Sequence, residues 1–537
     1  MESFIDKKSQ DKISIDALLD KINPLSPYGK VKKKEMPVYR PGQEDLLKKE
    51  YNLMAYLDNY YLDRDVISML NHVKDISESV SRAESGEVLT AVELFEIKNF
   101  ALQTMRVYKT FRDNKFYDEI RIEGLMDVIE LLDPAGERIN TFYIYEEYSE
   151  KLKLIRTEKN QASLLIKRIK KEIKDRMQED YDIRMSLKGD IYLNKSEENL
   201  IRMLDEDKRL YCSDQTVSQI VYSIKNTDEL DRLDSRINEL RAQEEDEEYE
   251  VLKYLSKEVC KCNKRFKKNF EAIGKIDLVL AKLRQAKTTD SIPPTIIKEH
   301  RIEIINGRHL KTEEVLSKKN KSYTPVSIKL DRPATSITGA NMGGKTVTLK
   351  MIGQIAYAVA LGLYVPAEVC AIGLSGKIFI SIGDEQSVEK GLSTFGAEIQ
   401  NLAKAFRNVN DRCLILIDEL AGGTNPVEGY AITKSIIDYL SDKNSISVVT
   451  THFDKAAGKE VRKLQVAGLK KIDLKKLEQE LLDNPGKGMD IIADNMDYDL
   501  IPAEDYDEVP KDAINIAELM GMQKEIVDQA KKYIEGK

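Results

Sequence analysis

The segment Thr335-Ser-Ile-Thr-Gly339-Ala340-Asn341-Met342-Gly343-Gly344-Lys345-Thr346 constrains the fold of this chain more than any other. It reads as a short strand, a glycine-rich turn and the opening of a helix, and in that context it satisfies the pattern G-x-x-x-x-G-K-[ST] in full. Glycines at these positions let successive backbone amides curl around an anion, and the following helix terminus adds a favourable dipole. From such a turn Lys345 reaches the β- and γ-phosphates of a nucleotide, and the Thr346 hydroxyl is placed to ligate magnesium.

A second segment strengthens the first. Cys413-Leu-Ile-Leu-Ile-Asp418-Glu419 is an apolar run of buried-strand type that ends in two carboxylates. The strand delivers Asp418 to a magnesium shell, where an oxygen ligand is wanted. Glu419 follows it and is placed to orient or deprotonate an attacking water, so the pair implies hydrolysis of ATP and not binding alone. Further on, Ser445-Ile-Ser-Val-Val-Thr450-Thr451-His452 is another core-type strand with a polar end. Of the four histidines, His452 is the one at a strand end beside this presumed site, where it could sense the γ-phosphate; a packed or surface histidine is the plainer alternative.

At 537 residues the chain is too long for one core and long enough for several domains. Its 84 basic and 92 acidic residues leave a net charge of −8, so binding to nucleic acid or to an anionic membrane needs a local basic face. Five scattered cysteines suggest a reduced, cytoplasmic protein. The most apolar window, Ile352 to Ala367, is interrupted by Gln354 and Pro366, and it reads as a core helix followed by a strand and not as a membrane span.

The pattern changes near Ser291-Ile-Pro-Pro-Thr295, from long charged helical stretches to short β-branched runs separated by glycine turns. Before that point, Ala162, Ile166, Ile169, Ile173 and Met177 recur at helical spacing and predict one long amphipathic helix. Its other faces are basic, through lysines such as Lys167, Lys170, Lys171 and Lys174. They form either a phosphate-binding face or a solvated face balanced by acids such as the run Glu244 to Glu250. A second helical pattern runs from about Asp228 to Lys287, and the strand-like Asp190 to Leu193 and Val217 to Tyr222 lie between the two. Two antiparallel helices joined by a small tip would make a lever arm. The expected order is an N-terminal extension over 1–45, a helical core and lever over 46–300, and an α/β P-loop ATPase domain over 301–537, with the extension loosely held.

The loop Ile337 to Thr346, with its Asn341-Met-Gly-Gly-Lys345, resembles that of the MutS family. Asn306-Gly-Arg-His309, Gly362 to Ala367, Gly391-Leu-Ser393-Thr-Phe395, Asp418 to Gly429, Thr450-Thr-His452-Phe and Ala513 to Met522 resemble further family segments in order and spacing. Ile276-Asp277 and Gly86 to Leu94 resemble parts of its helical core. The resemblance implies that the loop Gly339 to Thr346 holds the phosphates and that Asp418 joins Thr346 at magnesium. It also places Tyr323 where the family stacks an aromatic on adenine, although the asparagine expected shortly after is Val326 here. Ser393 would reach the nucleotide of a second subunit, which implies a homodimer closed by the C-terminal helices.

Mismatch-repair members wedge the phenylalanine of a Phe-x-Glu motif beside a base, and this sequence contains no Phe-x-Glu. The loop after Asp418 is closer to that of MutS paralogues bearing an Smr nuclease domain, which the chain is expected to lack. Two function classes follow. One is an ATP-driven dimeric clamp on DNA without classical mismatch recognition, using the basic lever helix. The other is an ATPase that remodels a protein partner, similar to the ATPase subunit of reactivases for the cobalamin-dependent lysine 5,6-aminomutase. Neither class involves a membrane.

Overall fold

The computed structural model describes residues 3–111, 118–136, 142–186, 188–339, 344–383, 391–407, 409–420, 425–453, 455–468, 477, 479, 481, 491–492, 495–503 and 512–535. The chain forms two compact units. One joins Met1–Asn71 to Ile273–Lys537, and the other is His72–Ala272.

In the second unit the helices Glu150–Tyr181 and Asp228–Cys260 lie side by side. Their pairings run in opposite senses: Ser149 bonds Glu247, Arg156 pairs with Glu244 and Glu248, and Arg236 pairs with Glu158, so the helices are antiparallel. The expected stripe packs inward. Ala162 and Ile166 meet Leu230 and Ile237, and Met177 joins a small core with Ile191, Leu193 and Tyr222. Each helix starts on a hydroxyl cap, Ser149 accepting from the Leu152 amide and Thr227 from the Leu230 amide, which satisfies otherwise orphaned donors. Between the helices, the strands Asp190–Asn194, Gln219–Ile224 and Leu210–Gln215 form an antiparallel sheet in that order. The strand Leu210–Gln215 carries no apolar alternation, since only its first residue is buried, and the sequence pattern missed it. The second helical pattern is also not continuous. A turn at Lys261–Cys262 separates Asp228–Cys260 from the helix Asn263–Thr288.

The first unit is built on a six-stranded sheet in the order Asp497–Pro502, Arg462–Gly468, Ala334–Thr338, Ile446–Thr450, Leu414–Ile417 and Ile378–Ser381. All neighbours are parallel except the first pair. A second sheet orders Thr295–Ile297, Val369–Gly373, Ile302–Gly307 and Val326–Leu330. The helix Lys345–Ala360 has buried residues on nearly every face, which its continuous apolar run requires. Among the described residues, no helix is long and apolar enough to cross a membrane, and no disulfide joins any of the five cysteines.

The N-terminal segment differs from the expected loose extension. Ile13, Ile15, Leu18 and Ile22 are fully buried. The Phe4 carbonyl accepts from the Ile378 amide at 3.0 Å, at the edge strand of the large sheet. Gln354, on the helix after the phosphate loop, donates to the Ile13 and Ser14 carbonyls. Spacing in this segment is too irregular to reveal a packed strap, because its partners lie hundreds of positions away. Likewise, residues up to Asn71 share a unit with the C-terminal half, whereas composition alone had placed the break near Ser291.

Two buried polar joints fasten the part of the helix Asn263–Thr288 that follows Ala272 to the N-terminal residues of the same unit. The Asp277 carboxylate accepts from the Leu25 and Ser26 amides at 3.0 and 2.6 Å and from the Ser26 hydroxyl at 2.7 Å. Glu50 pairs with Lys282 at 2.9 Å and with Lys275, while Lys282 also donates to the Leu361 and Gly362 carbonyls just past the end of Lys345–Ala360.

Candidate functional site

Parallel strands present their carboxyl ends along one edge of a sheet, and in this fold class ligands bind there. Register brings three ends together: Ile417 pairs with Val449, and Thr450 pairs with Ile337. Gly339 and Asp418 follow directly from those strands, and His452 follows after Thr451.

Lys345 is 2% exposed, and its ammonium donates to the Gly339 carbonyl at 2.7 Å. It also lies 3.4 Å from Glu419 Oε1 and 3.3 Å from His452 Nδ1. His452 Nε2 lies 3.1 Å from the same Glu419 oxygen, so the three side chains form a closed cluster. Burial pulls the Lys345 ammonium below its ordinary range, against the pull of Glu419. The hydrogen bond from His452, and then the charges of His452 and Lys345, hold the Glu419 carboxyl below the usual carboxylate range.

A second chain of contacts runs alongside. The Thr346 hydroxyl donates to Asp418 Oδ2 at 2.7 Å, and the Thr450 hydroxyl donates to Asp418 Oδ1 at 2.6 Å. Thr450 Oγ1 in turn accepts from the Glu419 amide at 3.0 Å. Sequence reasoning noticed Thr450 only as part of a polar strand end. Its role as a bridge between both carboxylate residues emerges from cross-strand register, which the local pattern does not encode.

Glu419 has φ of +44°, in the left-handed region that a residue with a Cβ adopts at a cost of roughly 1 to 2 kcal/mol. This turn directs the carboxylate toward Lys345 while Asp418 faces Thr346. Glycine is needed on the loop for steric reasons as well. Gly344 has φ of +73°, and a Cβ there would sit 3.1 Å from the Tyr498 ring. Gly339 has φ of +135°, and a Cβ there would sit 3.0 Å from the Val466 Cβ.

The donor set suits a magnesium nucleotide. Thr346 and Asp418 offer the hard oxygen ligands magnesium prefers, and the buried Lys345 cation stands at a helix N-terminus. Gly339, Gly344, Lys345, Thr346, Asp418, Glu419 and His452 are thus gathered at one edge, while Ala340, Asn341, Met342 and Gly343 lie outside the described residues. Ser393 falls in the first turn of the helix Gly391–Arg407, and its side chain is also outside them. Tyr323 is not brought to this cluster by any polar contact. Its hydroxyl accepts from the His309 amide at 3.1 Å, an interaction that ties a loop to the start of the helix Leu310–Lys318.

Residues 335–536 match the family model for MutS domain V. The chain is 30% identical over 398 residues to the endonuclease MutS2 of Clostridium kluyveri, covering 71% of this chain and 49% of that protein. It is 28% identical over 403 residues to the protein of the same name from Shouchella clausii, covering 72% and 50%. With that of Caldanaerobacter subterraneus it shares 28% over 481 residues, covering 86% and 56%. The chain therefore spans about half the length of the curated relatives it matches. These matches support membership of the MutS family, whose domain V is a P-loop ATPase.

Proposed function

We propose that this chain is a homodimeric MutS-type ATPase that binds and hydrolyses magnesium ATP to drive a conformational switch acting on DNA, without classical mismatch recognition. The observation that carries the reading is the pairing of two clusters at one sheet edge: Thr346–Asp418–Thr450 and Lys345–Glu419–His452.

Bound magnesium would supply charge neutralisation of the triphosphate, held by Thr346 and Asp418. Lys345 exchanges its contact with Glu419 for phosphate oxygens, which releases the carboxylate toward a water. Glu419 then orients or deprotonates that water. His452 keeps Glu419 in place and reports on the γ-phosphate side of the cluster. Ser393 acts in trans on the nucleotide of the other subunit.

Dimer closure is supported by exposed apolar side chains on and beside the two C-terminal helices, Asp512–Leu519 and Lys524–Glu535: Met520, Met522, Ile526 and Tyr533. For DNA, the proximal lever cations are already neutralised, since Lys151, Arg156 and Lys159 pair with Glu244, Glu247 and Glu248. Farther along the same helix, Lys167, Arg168 and Lys171 are exposed and have no carboxylate partner among the described residues, which suits them to phosphates. The nuclease named in the relatives also points toward nucleic acid. No observation favours the aminomutase alternative.

Glu419→Gln should keep ATP binding and abolish turnover, and unchanged turnover would remove its assigned role. Duplex or branched DNA should stimulate ATP hydrolysis by the intact chain, with binding that weakens steeply as salt rises. Absence of both effects at low salt would overturn the DNA reading and leave the ATPase assignment standing.

A further inference from the structure

The helix Lys345–Ala360 starts at the phosphate loop and ends in the interior of its unit, where the carbonyls of Ala360 to Leu363 take donors from distant parts of the chain. The Ala360 carbonyl accepts from the Tyr39 amide at 2.7 Å, and the Leu363 carbonyl accepts from the Tyr51 hydroxyl at 3.2 Å. Between these two, the Leu361 and Gly362 carbonyls both accept from the Lys282 ammonium, at 3.2 and 3.3 Å. Gly362 suits so close an approach. Its φ is +68°, and a Cβ there would stand 3.3 Å from Glu50 Cγ and 3.4 Å from Lys282 Nζ.

This arrangement gives the helix a charged partner at each end. A buried cation at the carboxyl end meets the negative pole of the macrodipole, and the amino end, at Lys345, offers its positive pole to an anion. Sixteen residues make a rod of about 24 Å, and with buried residues on nearly every face it responds to a pull as one body.

Lys282 stands on the helix Asn263–Thr288, which begins in one compact unit and ends in the other. Residues 263–272 belong to the unit His72–Ala272, and there Lys264, Lys267, Lys268 and Glu271 are exposed. Residues 273–282 belong to the unit of the phosphate loop and, Lys275 excepted, are buried. Glu50 grips the same ammonium at 2.9 Å, so a displacement of the Leu361 and Gly362 carbonyls loads the helix that carries Lys282.

We propose that Lys282 is a coupling residue: occupancy of the phosphate loop, felt at the far end of the helix Lys345–Ala360, passes through its ammonium to the helix Asn263–Thr288 and so to residues 263–272. The proposal rests on the reading of the phosphate loop as a nucleotide site.

Hydrogen exchange read by mass spectrometry tests it on the full chain, with and without magnesium and a non-hydrolysable ATP analogue whose saturation is confirmed by calorimetry. In wild type the analogue should change exchange across residues 263–272 at least about fivefold. In Lys282→Met with Glu50→Leu, which removes the clasp without leaving a lone buried carboxylate, the change should fall below about twofold. Asp277→Asn weakens a different anchor of the same helix and should keep the full response, whereas mere loosening of the helix would suppress it equally. If circular dichroism shows the double variant unfolded, Gly362→Ala disturbs the same clasp with both charges in place and should give the same loss. A full response in a folded clasp variant, an equal loss in Asp277→Asn, or no response in wild type with the analogue bound would each overturn the proposal and leave the ATPase reading standing. Failure of the analogue to bind would strike the nucleotide reading itself, and the coupling with it.

Discussion

Removing the Lys282 ammonium should destabilise the nucleotide-binding unit by about 3 kcal/mol, and the structure shows where that figure comes from. Glu50 and Lys282 are 5% and 1% exposed at their side chains. Lys282 and Lys275 together hold the Glu50 carboxyl at about 2, against an ordinary value of 4.5, despite burial that pushes it the other way. That difference corresponds to roughly 3 kcal/mol, taking about 1.4 kcal/mol per tenfold. Burial of Lys282 itself works in the opposite direction and lowers its own affinity for a proton, so the whole triad contributes less than that. Breaking the pair is different from never having it. Lys282→Met keeps the apolar stem but leaves Glu50 with Lys275 alone and strips the Leu361 and Gly362 carbonyls of their donor. Uncompensated buried charges of this kind cost about 3 to 5 kcal/mol. Adding Glu50→Leu should recover much of the loss, since Lys275 is 24% exposed at its side chain and can turn its ammonium to water.

The measurement is a double-mutant cycle by urea unfolding, followed by circular dichroism because the chain has no tryptophan. A coupling of at least about 2 kcal/mol is expected. The pH dependence carries the same signature. A carboxyl depressed in the folded state contributes stability that is complete above about 4.5 and is lost as pH falls toward about 2. That limb should flatten in the double variant. If Lys282→Met falls within about 1 kcal/mol of wild type, or the two changes simply add, the triad is not the joint described here.

Other outcomes can be checked separately. Thr450→Val removes the hydroxyl shared by Asp418 and the Glu419 amide, and turnover should fall about 10- to 100-fold with the fold intact, as for other supports of a metal ligand. Gly29→Ala would place a Cβ 2.2 Å from Asp277 Oδ2 and disturb the carboxylate that holds Leu25 and Ser26. Overpacking and weakened charged hydrogen bonds predict a loss of about 2 to 4 kcal/mol, measured by thermal unfolding. Burial lowers His300 and His309 to about 4. The unfolded chain therefore binds protons that the folded one refuses, so stability should be full above about 6.5 and decline as pH drops toward about 4. Ser393→Ala should abolish turnover, and mixing with a subunit that is itself inactive but retains Ser393 should restore it; failure to restore it would count against a contact in trans.

Local chemistry made much of the site legible. Gly344, Lys345 and Thr346 must follow one another for backbone amides, a cation and a hydroxyl to meet one phosphate group, and Asp418 and Glu419 stand where an apolar strand has to end. The amphipathic stripe from Ala162 to Met177 was readable for the same reason, since helical periodicity is a property of neighbouring residues. Tyr323 shows the limit. A family position suggests a base contact; the structure shows that the hydroxyl accepts from the His309 amide, on a loop whose packing the spacing does not specify.

The sequence by itself determined the phosphate loop, the carboxylate strand, the α/β character of the C-terminal half and the long lever helices. All of these rest on residues close together in the chain, where geometry follows from spacing and side-chain type. Only the tertiary structure decided that Thr450 bridges Asp418 and Glu419, that Glu50 and Asp277 lock Asn263–Thr288 to the N-terminal residues, and that the first residues are bonded to the edge of the large sheet. Those pairings join segments far apart in the chain. Their partners are selected by what remains buried and unsatisfied once the chain has folded, which no local pattern records.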